Sequence, residues 1–99
     1  MAPSINAAAL RVYELFHIAD NTTFLVCSMD EEVEVSFPCT CHLYRGKEYL
    51  RDIILESVVM GGYKTDEDGR RFITFTTPGH IDKSLFDFKK GMLLKMSRE

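Results

Sequence analysis

The clearest pattern of hydrophobic and polar positions runs from Val33 to Leu43, in the segment VEVSFPCTCHL. Every odd position in it is apolar or a thiol, and every even position is polar or proline. Such a sustained alternation predicts a half-buried strand. Pro38 lies on the outward face and has no amide hydrogen to donate, so we predict a sheet edge or a bulge there.

Two segments rich in aromatic and β-branched residues, 10–18 and 23–29, flank a short Asp-Asn turn. This arrangement predicts a hairpin. A competing interpretation is a helix capped by Ser4, with an apolar stripe that extends to Phe16. We therefore expect a helical turn over residues 4–10 that leads into the first strand.

The second half of the chain contains three further apolar segments. Residues 47–60 fit either a buried strand or a short helix closed by Gly61. Residues 56–64 and 70–77 flank a polar loop that contains glycine, which predicts a hairpin. The alternating apolar positions from Met92 to Met96 predict a last strand, which follows a Lys-Lys-Gly turn.

The predicted elements sum to about six strands at short spacing with little helix. We predict a mainly β fold: a small antiparallel β-barrel or curled sheet, of OB-like or SH3-like size, with at most one or two short helices. The 99 residues suffice for one domain, residues 1–99, in which 1–9 are flexible or form one helical turn. The stretch ADNTTFLV, with the acidic hairpin and alternating strand after it, resembles oligonucleotide-binding barrels, and such a resemblance of fold does not fix function.

The charge balance is mildly acidic, with a formal net charge of −3 and a pI of about 5.6. This balance disfavours binding to phosphate backbones unless the basic residues gather on one face. No apolar run approaches the roughly 20 residues that cross a bilayer, and no basic and apolar leader opens the chain. We expect a soluble, cytoplasmic protein that does not bind membranes, with its odd set of three cysteines reduced.

The segment TTPGHID, residues 76–82, resembles the Asp-Thr-Pro-Gly-His-x-Asp motif by which translational GTPases sense the γ-phosphate. Thr76 replaces the acidic residue that anchors the magnesium-bound water, and the chain lacks a G-x-x-x-x-G-K-[ST] phosphate loop. We therefore expect no nucleotide and no cofactor. The Pro-Gly pair instead predicts a turn with positive φ at Gly79, which leaves His80 and Asp82 in a loop.

The segment Cys39-Thr40-Cys41-His42 contains residue types that bind zinc. The strand phase places Cys39 and Cys41 on the apolar face and His42 on the opposite face. The two thiols, with β-carbons roughly 6–7 Å apart, are also beyond disulfide reach. We expect buried structural thiols, and a metal site remains a remote alternative that depends on Cys27 approaching from a neighbouring strand.

The three histidines and the many carboxylates belong to no local catalytic motif, so we expect the protein not to be an enzyme. Our first hypothesis is a small domain that binds a protein partner or self-associates, for example by pairing of a Val33–Leu43 edge strand across a two-fold axis. The alternative is a small barrel that binds single-stranded nucleic acid. The candidate interaction surface comprises His42, Tyr44, Arg45, Lys47, Tyr49, Arg51, Arg70, Arg71, His80 and Asp82.

Overall fold

The computed structural model describes residues 9–19, 21–29, 36–59 and 71–96. Within these ranges, seven antiparallel strands form one sheet. They are β1 (Ala9–Ala19), β2 (Thr22–Met29), β3 (Cys39–Arg45), β4 (Glu48–Leu55), β5 (Ser57–Val59), β6 (Arg71–Pro78) and β7 (Met92–Lys95). A short 3₁₀ helix, Lys83–Leu85, lies between β6 and β7. The predicted mainly β class is confirmed.

The strand order is β4-β3-β7-β1-β2-β6-β5, and the sheet curls into a barrel-like shape. Only Glu56 separates β4 from β5, and its amide donates a hydrogen bond of 2.8 Å to the carbonyl of Thr76 on β6. One stretch of chain, from Glu48 to Val59, therefore pairs with β3 at its start and with β6 at its end. This stretch connects the two ends of the strand order.

The predicted first hairpin is confirmed, because β1 and β2 pair from Ala19 opposite Thr22 down to Arg11 opposite Ser28. The helical alternative is wrong for residues 9–19, and residues 1–8 lie outside the described ranges. A register shift between Val12 and Glu14 explains why the pattern looked helical. One extra residue in a strand places positions three apart on the same face.

The strand predicted from Val33 begins at Cys39, after a bend at Phe37 and Pro38, and residues 33–35 lie outside the described ranges. The predicted edge position is wrong, because β3 lies between β4 and β7. The bulge at Pro38 is also wrong, since the register shift lies between Leu43 and Tyr44. Pro38 precedes the first paired residue, so the ladder needs no donor from it.

The remaining strand predictions are largely confirmed. The ambiguous residues 47–60 form β4 and β5 within the described part, rather than a helix. Residues 57–59 pair with 74–76, which agrees with the predicted second hairpin. The loop of that hairpin lies outside the described ranges. The last strand, β7, follows the Lys-Lys-Gly turn as expected, with Gly91 at a φ of +94°.

The core lies inside the curl of the sheet. Cys41 and Leu43 are fully buried on the inward face of β3, which confirms the predicted phase. The core contains thirteen buried apolar residues among those described: Leu10, Val12, Leu15, Leu25, Cys27, Cys41, Leu43, Ile53, Leu55, Phe75, Ile81, Met92 and Leu94. No helix in the described part of the chain is long and apolar enough to cross a bilayer.

Two adjacent isoleucines on β4 test this packing. Ile53 is 2% exposed in the core and Ile54 is 45% exposed on the outer face. We expect Ile53→Ala to lower the free energy of unfolding by about 2–5 kcal/mol, since it leaves a cavity. Ile54→Ala, the matched control, should cost about 1 kcal/mol or less. Urea unfolding measures both values, and equal losses would contradict the assigned strand phase.

Candidate functional site

Three residues of the predicted surface meet on the outer face of β3 and β4. His42 and Tyr49 both donate hydrogen bonds to one carboxylate oxygen of Asp52, at 2.6 Å from His42 Nδ1 and 2.8 Å from the Tyr49 hydroxyl. Tyr44 packs its ring edge to face against Tyr49, with centroids 5.8 Å apart. Lys95 on β7 places its ammonium 4.8 Å from the centroid of Tyr44. We call these five residues the tyrosine cluster.

Most polar groups and rings of the tyrosine cluster contact one another. The carboxylate of Asp52 accepts hydrogen bonds from His42 and Tyr49. The ammonium of Lys95 lies over the ring of Tyr44. A cation over an aromatic face is attracted by the electrons of the ring. These contacts hold the side chains in place and leave little free hydrogen-bonding capacity for a ligand. Sequence reasoning missed Asp52 and Lys95, because their places depend on strand pairing.

The other basic residues of the predicted surface take different positions. Arg45 donates from Nη2 to Glu48 at 2.7 Å and from Nη1 to the carbonyl of Leu85 at 3.3 Å, so it ties the β3–β4 turn to the 3₁₀ helix. Lys47 and Arg51 are exposed. Arg70 lies outside the described ranges, and Arg71 begins β6 opposite Met29.

His80 and Asp82 lie apart from the tyrosine cluster, near the opposite end of β1. The ring of His80 stacks on His17, with centroids 3.6 Å apart, and His17 Nε2 donates to the carbonyl of Ile81 at 2.8 Å. Asp82 caps the 3₁₀ helix by accepting from the amide of Ser84 at 2.9 Å. That hydrogen bond, more than the nearby His80, lowers the pKa of the Asp82 carboxyl.

The GTPase-like segment is the end of β6 and a turn, as predicted. Gly79 has a φ of +85°, and its amide donates to the carbonyl of Asn21 at 2.8 Å. The buried hydroxyl of Thr23 donates to the carbonyl of Gly79 at 2.7 Å. The hydroxyl of Thr76 lies 2.7 Å from that of Ser57. The geometry of this segment is therefore explained by contacts that join β6 to β2 and β5.

The three cysteines are free thiols. Cys39 and Cys41 share the inward face of β3, as predicted, and their sulfurs lie 4.0 Å apart. Met96, which follows β7, places its sulfur 3.6 Å from Cys39 Sγ and 3.3 Å from Cys41 Sγ. We call these three atoms the sulfur triangle. Among the described residues, no three His, Cys, Asp or Glu side chains group to hold a metal ion.

Burial strongly affects the ionisation of two of the thiols. Desolvation raises the pKa of Cys27, which is completely buried. Desolvation also raises the pKa of Cys41; Cys39 adds to that effect through its charge and its hydrogen bond, and Cys27 adds to it through its charge. Both groups are therefore protonated thiols at neutral pH in the free protein.

A groove that the sequence did not reveal runs along β1. One concavity of about 270 Å³ and a second of about 230 Å³ lie side by side and share Phe88 as a wall. Phe16 and Phe88 line the groove and are 45% and 47% exposed. We call the two concavities together the β1 groove. Its charged lining residues are Arg11, Glu14, Lys83, Lys89 and Lys90.

The wall that carries Phe88 is an ordered turn. The carboxylate of Asp87 accepts hydrogen bonds from the amides of Lys89, at 3.1 Å, and Lys90, at 3.3 Å. The ring of Phe86, half-buried against the core, lies 5.7 Å from that of Phe88. The sequence does contain a signal for this wall: in FDFKK, residues 86–90, two phenylalanines alternate with charged residues. In the sequence analysis, this segment predicted only the turn before the last strand.

Comparison of the chain with protein-family models, with curated proteins and with solved structures gives no match. The functional assignment therefore rests on the residues and contacts of this chain.

The Asp82 cap gives a pH-dependent prediction. Its pKa is lowered from an ordinary value of 3.8, so its stabilising contribution is complete above that pH and is lost as the pH falls through the folded-state pKa. We expect Asp82→Ala to lower the melting temperature slightly at pH 7 and to have less effect at pH 3. Asp82→Asn, which keeps a capping oxygen, is the control and should retain more of the stability at pH 7. A difference between wild type and Asp82→Ala that stays constant with pH would contradict the lowered pKa.

Proposed function

We propose that this protein is a non-catalytic binding domain whose β1 groove holds an acidic segment of a partner protein with apolar side chains. The observation that carries the proposal is the pair of half-exposed phenylalanines, Phe16 and Phe88, in adjacent concavities rimmed by basic side chains. The domain supplies a shaped surface to that partner and no chemistry.

The apolar part of the proposal rests on exposure and order. Phe16 and Phe88 are among the most exposed large hydrophobic side chains in the described part of the chain. Exposed apolar patches with a polar rim mark interaction sites, and aromatic anchors in concave surfaces provide much of the binding energy. The hydrogen bonds of Asp87 hold the Phe88 turn in place before binding. Binding of a partner therefore loses little conformational entropy in the Phe88 turn.

The charge of the groove defines the partner more closely. Four lining residues are basic and one, Glu14, is acidic. Within the described ranges the ion pairs are those of His42 with Asp52 and of Arg45 with Glu48, so the four basic groups make none. This local excess of positive charge contrasts with the chain's net charge of −3. It favours a partner that carries carboxylates opposite the groove rim.

Single-stranded nucleic acid is the rival occupant, since it also combines negative charge with groups that stack on aromatic rings. Two observations favour a protein segment. The rings of the tyrosine cluster are engaged in contacts with each other and with Lys95, so they do not offer bases a stacking surface. The two concavities, of about 270 and 230 Å³, have room for side chains, whereas successive stacked bases need a series of exposed aromatic rings.

The proposal includes a reducing compartment. The three free thiols fit a cytoplasmic protein, because cytosolic thiols stay reduced.

Fluorescence anisotropy with a labelled peptide of alternating Glu and Leu tests the proposed partner chemistry. We expect binding that weakens with added salt, since the rim contributes through charge. Phe88→Ala should weaken it about tenfold, the effect of losing about 1.4 kcal/mol at an aromatic anchor. Lys89→Glu should weaken it as well and flatten its salt dependence.

Two matched variants control this experiment. Ile54→Ala removes an equally exposed apolar side chain, and Arg51→Glu reverses an exposed charge, both on β4, which lies three positions from β1 in the strand order. Neither should change the affinity. Equal binding of a Lys-Leu peptide would overturn the acidic partner. Preferential binding of an oligothymidine through Phe88 would favour nucleic acid. If light scattering shows a dimer for wild type and a monomer for Phe88→Ala, the occupant of the groove is a second copy of the chain.

A further inference from the structure

A separate feature, independent of the β1 groove, lies at the end of the sheet where β3 meets β7. We propose that Cys39, Cys41 and Met96 form a binding site for a soft monovalent metal ion, Cu(I). The site consists of the sulfur triangle alone, with two thiolates and one thioether as ligands.

The fold brings these sulfurs together through strand register. Cys39 and Cys41 point inward from β3 because they are two residues apart on one strand. Lys95 on β7 pairs with His42, so the next residue along, Met96, lies beside Cys41. A thioether from the end of one strand thus meets two thiols of its neighbour, although they are 55 and 57 positions apart in sequence.

The dimensions of the triangle suit a metal ion. Its edges are 4.0, 3.6 and 3.3 Å. A triangle with these edges has its equidistant point about 2.1 Å from each sulfur, close to the ~2.3 Å of a bond between a metal ion and a thiolate. An ion at that point would need only small movements of the three side chains.

The ligand types select the metal. Thiolate and thioether sulfurs are soft donors that favour Cu(I), whereas structural zinc takes four thiolate, imidazole or carboxylate ligands. The described residues bring no third His, Cys, Asp or Glu to this place, and His42 points to the outer face. The triangle is therefore too poor in ligands for structural zinc and suits an ion that accepts three sulfurs.

Cys27 provides an internal contrast. Its thiol is completely buried in the core and lies 4.0 Å from the carbonyl of Leu25, as expected for a packing residue. Cys39 and Met96 are only partly buried, so an ion can reach the triangle from their side.

Binding must release protons. As two Cu–S bonds form, the two thiol protons leave to solvent, copper remains in the +1 state, and the site gains one net negative charge. Because the two thiol protons must leave, protons compete with the metal for the thiolates, and affinity should increase with pH.

The test titrates the reduced protein under anaerobic conditions with Cu(I) supplied as its bicinchoninate complex. We expect one Cu(I) per chain to transfer to the protein. X-ray absorption should show copper bound only by sulfur, at distances typical of bonds between metal ions and thiolates. Cys39→Ser, at a partly buried position, should weaken binding at least about a hundredfold, and Met96→Leu, which keeps nearly the same volume, about tenfold.

The controls separate the site from general thiol chemistry. Cys27→Ala should bind Cu(I) like wild type, and circular dichroism verifies that each variant keeps its β spectrum. The proposal is overturned if wild type takes no Cu(I), if Cys39→Ser binds as wild type does, or if Met96→Leu leaves both affinity and absorption spectrum unchanged. Zn(II) binding as tight as that of Cu(I) would also overturn it.

Discussion

The insertion of β7 between β1 and β3 is the contact on which the rest of this structure depends. β7 comprises only Met92–Lys95, yet it pairs with β1 on one side and with β3 on the other. Met92 and Leu94 are completely buried, so the strand also fills the core between the two hairpins. Without it, the β1–β2 and β3–β4 hairpins would each expose an unpaired edge and an apolar face.

The same strand positions both candidate sites. To reach its place, the chain crosses β1 through residues 86–91, and that crossing forms the wall of the β1 groove. Beyond the strand, the chain carries Met96 to the sulfurs of β3. The tyrosine cluster depends on it as well, since Lys95 covers Tyr44 from β7. The β1 groove and the sulfur triangle differ in chemistry, but each forms where residues near β7 contact an earlier strand, β1 for the groove and β3 for the triangle.

Local patterns predicted the elements well where one face of a strand is buried and the other is solvated. Cys41 and Leu43 lie inward as their alternation indicated, and Gly79 has the positive φ that its place after proline required. The errors have local causes too. A register shift after Val12 gave β1 a helix-like spacing, and Pro38 suggested an edge although it lies just before the ladder begins.

The sequence by itself determined the mainly β class, the β1–β2 hairpin, the pairing of residues 57–59 with β6, the inward phase of β3 and the turn after β6, because each follows from a local pattern of residue types. His42, Tyr44 and Tyr49, which the predicted surface included among ten residues, lie together because one hairpin contains them, whereas His80 lies elsewhere. Only the tertiary structure decided the strand order, the β1 groove and the sulfur triangle. These features join residues far apart in sequence, and alternation shows which face a side chain takes without showing which strand lies beside it.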